Sequence, residues 1–112
     1  MIANLNKSRR ASTATLVHGN RICIIGGVDT KSKNYLDTVK SIGSVHWLDL
    51  MSRTFSEGPS LNEPRNQHST ILFGAKLYTL GGRSELYDSS FLHSIEILDV
   101  LASQAQWSIH TD

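Results

Sequence analysis

Five histidines, His18, His46, His68, His93 and His110, are the side chains of this sequence most suited to metal binding or proton transfer. None pairs with Cys, Asp or Glu at the spacing of a zinc site, and the lone Cys23 excludes a thiolate-rich one, so neither metal nor other cofactor is expected. Gly26-Gly27-Val28-Asp29-Thr30-Lys31-Ser32 places Lys-Ser after glycines and an apolar run, as a phosphate-binding loop does. It lacks the Gly immediately before the Lys and the helical period that should follow, so backbone N–H groups are not set to wrap a phosphate. No Ser-His-Asp order or Gly-x-Ser-x-Gly elbow occurs. Asp29, Asp37, Glu57, Glu63, Glu85 and Asp88 fall in turn-rich stretches, and Asp49 and Asp99 end apolar runs, where a carboxylate caps the turn that follows. No acid/base pair assembles, and the chain reads as a non-enzyme with no catalytic residue. Arg9-Arg10-Ala11-Ser12 fits a basophilic kinase site with Ser12 as acceptor, and Asn6-Lys7-Ser8 is formally a glycosylation sequon.

At 112 residues, 39% hydrophobic and 19% charged, the chain has the size and composition of one globular unit. Eleven basic against ten acidic residues leave +1, which argues against a phosphate-tracking surface and hence against nucleic acid. The charge is uneven, with residues 1–55 carrying +5 and residues 56–112 carrying −4. The first ten residues are polar with no apolar segment behind Arg9-Arg10, and the densest apolar run, Ile22 to Val28, is far too short for a bilayer. With a single cysteine inside that run, a reducing, cytoplasmic setting without membrane contact is expected.

The elements that must position these residues come from an internal repeat. At an offset of 55, Arg10 falls on Arg65, Thr15 on Thr70, Leu16-Val17 on Ile71-Leu72, Gly19 on Gly74 and Gly26-Gly27 on Gly81-Gly82. Beyond the glycine pair the offset shortens to 50, aligning Val45-x-Trp47-Leu48-Asp49 with Ile95-x-Ile97-Leu98-Asp99. Each copy reads as four strands: Thr13–His18, Arg21–Ile25, Gly43–Leu50 and Arg53–Glu57, then Gln67–Phe73, Lys76–Leu80, Phe91–Asp99 and Gln106–His110. Gly19-Asn20 and Gly74-Ala75 lead with Gly, which suits a two-residue type II′ hairpin. Ile22 to Ile25 is apolar at every position, as in a strand covered on both faces. The expectation is an all-β fold of two four-stranded antiparallel units, residues 1–58 and 59–112.

Arg10 or Pro64-Arg65, then a turn glycine, a run ending in Gly-Gly, an Asp-bearing strand and an aromatic (Phe55 or Trp107) is the order of a known repeat. The chain resembles the kelch repeat. The second copy follows the pattern more fully, with His68-Ser69, Tyr78 and Trp107; the first has Cys23 and Phe55 where the repeat carries Tyr and Trp. The resemblance implies two blades of a kelch-type β-propeller. Such rings close with about four to eight blades, so two make an incomplete ring, and uncovered blade faces imply self-association. It also implies a protein-interaction module, in some members the substrate-recognition part of a cullin ubiquitin-ligase adaptor, with a metal-dependent oxidase or glucosinolate-breakdown specifier as the enzymatic alternative. Partner contacts are expected from Arg10, Arg65, Arg83, Tyr35 and Tyr87, which share one end of the blades and include hot-spot residue types.

Overall fold

Short β-branched and apolar runs become eight strands in a computed structural model that describes residues 11–28, 41–85 and 91–111. β1 (Thr13–Val17), β2 (Arg21–Ile25), β3 (Val45–Asp49) and β4 (Thr54–Glu57) form one antiparallel meander; β5 (Ser69–Phe73), β6 (Lys76–Leu80), β7 (Ile95–Asp99) and β8 (Ser108–His110) form a second. Among the described residues there is no helix, and the two sheets do not close a ring. The β1–β2 and β5–β6 connections put the positive φ on Gly19 (78°) and Gly74 (62°), while Asn20 and Ala75 stay at negative φ. Asp49 and Asp99 cap the turns after β3 and β7, each Oδ1 accepting from the amide two residues on. The Ser52 and Met51 amides hold the Asp49 carboxyl below the usual carboxylate range.

The two copies differ in one register. Val17 pairs with Arg21 across three intervening residues, whereas Phe73 pairs with Lys76 across two. β1 is therefore equivalent in the sheet to β5 at an offset of 56, not 55, and Thr15 corresponds to Ile71 rather than Thr70. A one-residue slip moves side chains to the opposite face. Val17 and Leu72, aligned by sequence, thus sit on opposite faces of their own sheets and both still reach the core, because the sheets stack front to back. The front of the first sheet, with Val17, Cys23, Ile25 and Val45, packs on the back of the second, with Leu72, Leu77 and Leu98; Leu61 and Trp107 close the edge. Ile22 and Ile24, on the other face of β2, stay half-exposed, so the all-apolar strand is covered on one side.

Inner strands β1 and β5 lie side by side, joined at their starts by the Gln67 amide donating to the Ala11 carbonyl (3.0 Å). Both residues hold a left-handed φ, 57° at Ala11 and 53° at Gln67. This is why β5 begins at Ser69 rather than at Gln67: the residues before it bond across to the first blade. The glycine pairs end β2 and β6 against the same seam. A Cβ on Gly82 (φ 89°) would stand 2.5 Å from the Asn66 carbonyl oxygen and 2.9 Å from the His68 Cβ, and one on Gly26 (φ 67°) 2.5 Å from the Arg65 carbonyl oxygen. Gly74 has the same kind of φ with nothing near it. Gly74→Ala is therefore expected to cost about 1 kcal/mol, the backbone term alone. Gly82→Ala adds a clash with atoms that cannot swing away and should cost at least about twice that. Equal urea midpoints for the two variants would show that close approach at Gly82 does not matter.

Candidate interaction surface

Arg65 sits in the segment between β4 and β5 and is fully buried. A guanidinium has five N–H groups, and here each has an acceptor. Nε donates to the Glu63 carbonyl (3.3 Å), Nη1 to the Gly81 (2.9 Å) and Ser94 (3.1 Å) carbonyls, and Nη2 to Ser94 Oγ and Glu96 Oε2, both at 2.9 Å. Glu96, also fully buried on the back of β7, receives more than the guanidinium. Its Oε1 accepts from the Asn62 amide (2.7 Å) and side chain (3.1 Å), and its Oε2 also accepts from the Glu63 amide (2.9 Å). Asn62 Nδ2 continues to the Trp107 carbonyl, and the Trp107 indole donates to the Pro59 carbonyl (2.8 Å). From its other side the segment is tied to the first blade: the Leu61 amide donates to the Gly43 carbonyl, and the Gly27 amide to the Arg65 carbonyl, each at 2.8 Å.

His68 follows on the same seam. Its Nε2 lies 3.0 Å from Thr13 Oγ1, which is 2.7 Å from Thr70 Oγ1, so a hydroxyl–imidazole chain crosses between the blades. Burial, then the Arg65 charge, pushes its pKa down from 6.5 to about 4, opposed by the Ile25 backbone. The ring is neutral at physiological pH and serves as a structural hydrogen-bond partner.

Asn66, fully buried between these two, turns toward the end of the blades where the long β2–β3 and β6–β7 connections emerge. Its Nδ2 donates to Ser41 Oγ (2.7 Å) and the Arg83 carbonyl (3.2 Å), and Ser41 Oγ donates to that same carbonyl (2.7 Å). The Ser41 amide reaches the Ser84 carbonyl (2.9 Å). Isolated bridges pair Val28 with Ser41, Asn66 with Arg83 and Arg83 with Phe91. The stems of both loops are thus locked to one another, one from each blade. On this base the Arg83 guanidinium lies over the Phe91 ring, 4.6 Å from its centroid, with Phe91 56% exposed. At the opposite end of the blades Arg21 covers Trp47 (4.3 Å) beside an open groove of about 260 Å³ that Leu98 and Asp99 also line.

Of the residues expected to meet a partner, Arg83 stands on this surface. Arg65 lies beneath it, wholly enclosed, where it holds the scaffold rather than facing solvent. Arg10, Tyr35 and Tyr87 lie outside the described residues. Sequence reading passed over Glu96, Asn66, Ser41 and Phe91. The signal for Glu96 was present: a carboxylate at an alternate position of Ile95-Glu96-Ile97-Leu98 shares the buried face with Leu98 and needs an interior cation.

Two stacked four-stranded meanders of the same order, each with its inner strand against its neighbour's, are blades of the β-propeller class. The family profile described as the Kelch motif matches residues 9–62, which supports a kelch-repeat family for this chain. The match falls on the first unit and the segment after it, whereas the second unit was expected to follow the pattern more fully. A search of curated proteins returned no match. The Kelch motif suggests a protein-interaction module. Among the described residues no group of three or more His, Cys, Asp or Glu is placed to hold a metal ion, and no helix is long and apolar enough to cross a membrane.

The neutral His68 makes stability pH-dependent in one direction. Its folded pKa, about 4, lies below the 6.5 of the unfolded chain, so its stabilising contribution is complete above pH 6.5. As pH falls from 6.5 toward 4 the unfolded state takes up the proton first, and the contribution is lost. Between pH 7 and 4.5 the native chain should lose on the order of 2 kcal/mol more than His68→Gln, allowing for residual solvent at the ring. Identical pH slopes in urea titrations of the two would contradict this.

Proposed function

We propose that this chain is a protein-binding module whose contact surface is the loop end of the blades, centred on Arg83 and Phe91. The observation that carries the reading is the stacked Arg83–Phe91 pair on a base that Asn66 and Ser41 hold rigid. Arg and large aromatics supply most of the affinity in protein interfaces, and a rigid base spares the ordering cost of binding. Tyr35 lies in sequence between the bridged Val28 and Ser41, and Tyr87 between the bridged Arg83 and Phe91, and both are proposed as further contacts. Arg10, which precedes β1, is proposed as a further contact. Arg65 supports the surface from below. In its narrower form, suggested by the kelch resemblance, the surface recognises substrates for a cullin ubiquitin ligase and requires a BTB-type adaptor segment joined to these blades.

Peptides selected for binding to the immobilised chain provide the test. Arg83→Ala and Phe91→Ala should each weaken the selected binders by about tenfold or more. Met51→Ala and Leu101→Ala, exposed in the β3–β4 and β7–β8 turns, should leave affinity unchanged. Loss on the turn substitutions with none at Arg83 or Phe91 would move the site to the other end.

A further inference from the structure

The groove at the turn end, between the front of the first blade and the back of the second, holds two hydrogen-bond donors that the chain leaves unspent. Register puts Arg21 and Trp47 on the same face of the first blade, turned toward the second. The Arg21 guanidinium lies over the indole and makes no hydrogen bond or ion pair with any described residue. Nor does the Trp47 indole N–H find an acceptor there, whereas Trp107 donates to the Pro59 carbonyl and Arg65 spends all its donors. Trp47 Nε1 lies at Gly58, where a Cβ would stand 2.8 Å from it, beside the groove-lining Pro59. Two carboxylates are near, and both are occupied elsewhere. Asp49 Oδ1 accepts the Met51 and Ser52 amides, and its carboxyl is held low first by the Ser52 and Met51 amides and least by Arg21. Asp99 follows Leu98 in β7, so alternation turns its side chain to the opposite face, where Oδ1 accepts the Leu101 amide. The facing wall is apolar, formed by Leu98, Val100 and Ala105.

We propose that this groove is a second interaction site, separate from the loop end, and that it takes a carboxylate side chain of a partner protein together with an apolar side chain next to it. Charge complementarity selects the occupant. A guanidinium stacked on an aromatic ring presents its N–H fork in a fixed plane, which matches the two oxygens of a carboxylate. Arg21 is the one cation among the described residues that line the groove, and Asp49 stands beside it, so a single negative charge is matched and a doubly charged phosphate is not. The apolar wall receives the neighbouring side chain. Size selects a protein segment over a free small molecule: about 260 Å³, open on one side, is below the volume of pockets that enclose such ligands and suits one or two side chains of an extended chain.

The chain has two tryptophans, so two indole N–H signals of the nitrogen-15-labelled protein report on the site. The probe is a pentapeptide capped at both ends, acetyl-Ala-Leu-Glu-Leu-Ala-amide. It should shift the Trp47 signal saturably and leave that of Trp107 in place. The same peptide with Gln for Glu should bind about tenfold more weakly or worse, the loss of a charge-assisted hydrogen-bond pair. Arg21→Met keeps an apolar stem over the indole and removes the fork, and Ala102→Phe fills the groove from an exposed turn position; each should weaken the Glu peptide by about tenfold or more. Arg83→Ala should leave its affinity unchanged, which separates this site from the loop end. An unmoved Trp47 signal would overturn the proposal, as would equal binding of the Gln peptide or undiminished binding to either groove variant. Loss at Arg83→Ala would place the peptide on the loop surface instead, and isovalerate binding as tightly as the pentapeptide would make the occupant a free carboxylic acid; either result overturns it.

Discussion

A buried guanidinium and a buried carboxylate are each expensive to take out of water, and the pair Arg65–Glu96 is tolerated because every donor of the first is matched and the second collects four hydrogen bonds. Those bonds reach in three directions. Arg65 binds the Gly81 and Ser94 carbonyls where β6 ends and β7 approaches; Glu96 binds the Asn62 and Glu63 amides of the linking segment; the segment's own backbone binds Gly27 and Gly43 of the first blade. Remove the pair and the linking segment loses what fixes its path. Asn66, His68 and the starts of the inner strands all depend on that path.

The surface above inherits its rigidity from this arrangement. Asn66 is held next to Arg65, and through Ser41 it ties a loop stem of one blade to a loop stem of the other. Recognition loops are commonly mobile, and fastening their stems to a buried hydrogen-bonded residue reduces what binding must order. His68 adds a second tie, kept neutral first by its burial and then by the Arg65 charge beside it. The Gly26 and Gly82 positions let the strand ends come close enough for these bonds to form.

Much of the fold was legible because hairpins are local. β2 and β6 run over the residues their patterns indicate, and Gly74 takes the φ that a two-residue turn demands, whereas the turn expected at Gly19-Asn20 spans three residues, His18 to Asn20. The outer ends of the remaining strands were less so. β3 begins at Val45 rather than Gly43 because the Gly43 carbonyl serves the Leu61 amide, and β7 begins at Ile95 rather than Phe91 because Leu92 bonds to Gly82. Such long-range partners leave no mark on local pattern. The slip from 55 to 56 in the inner strand is hidden for a related reason: Val17 and Leu72 are both apolar, and composition does not reveal which face each occupies. Arg65 was legible as important and misleading as to why, since its partner lies 31 residues away.

A double-mutant cycle in urea on Arg65 and Glu96 tests most directly whether this pair carries the fold. Arg65→Met and Glu96→Leu should each cost about 3–5 kcal/mol, since either leaves an opposing charge buried without its partner. The double variant should cost clearly less than the two together, with a coupling above about 1 kcal/mol. Additive losses, or single variants as stable as the native chain, would show that the pair does not act as a unit and that the linking segment is held by something else.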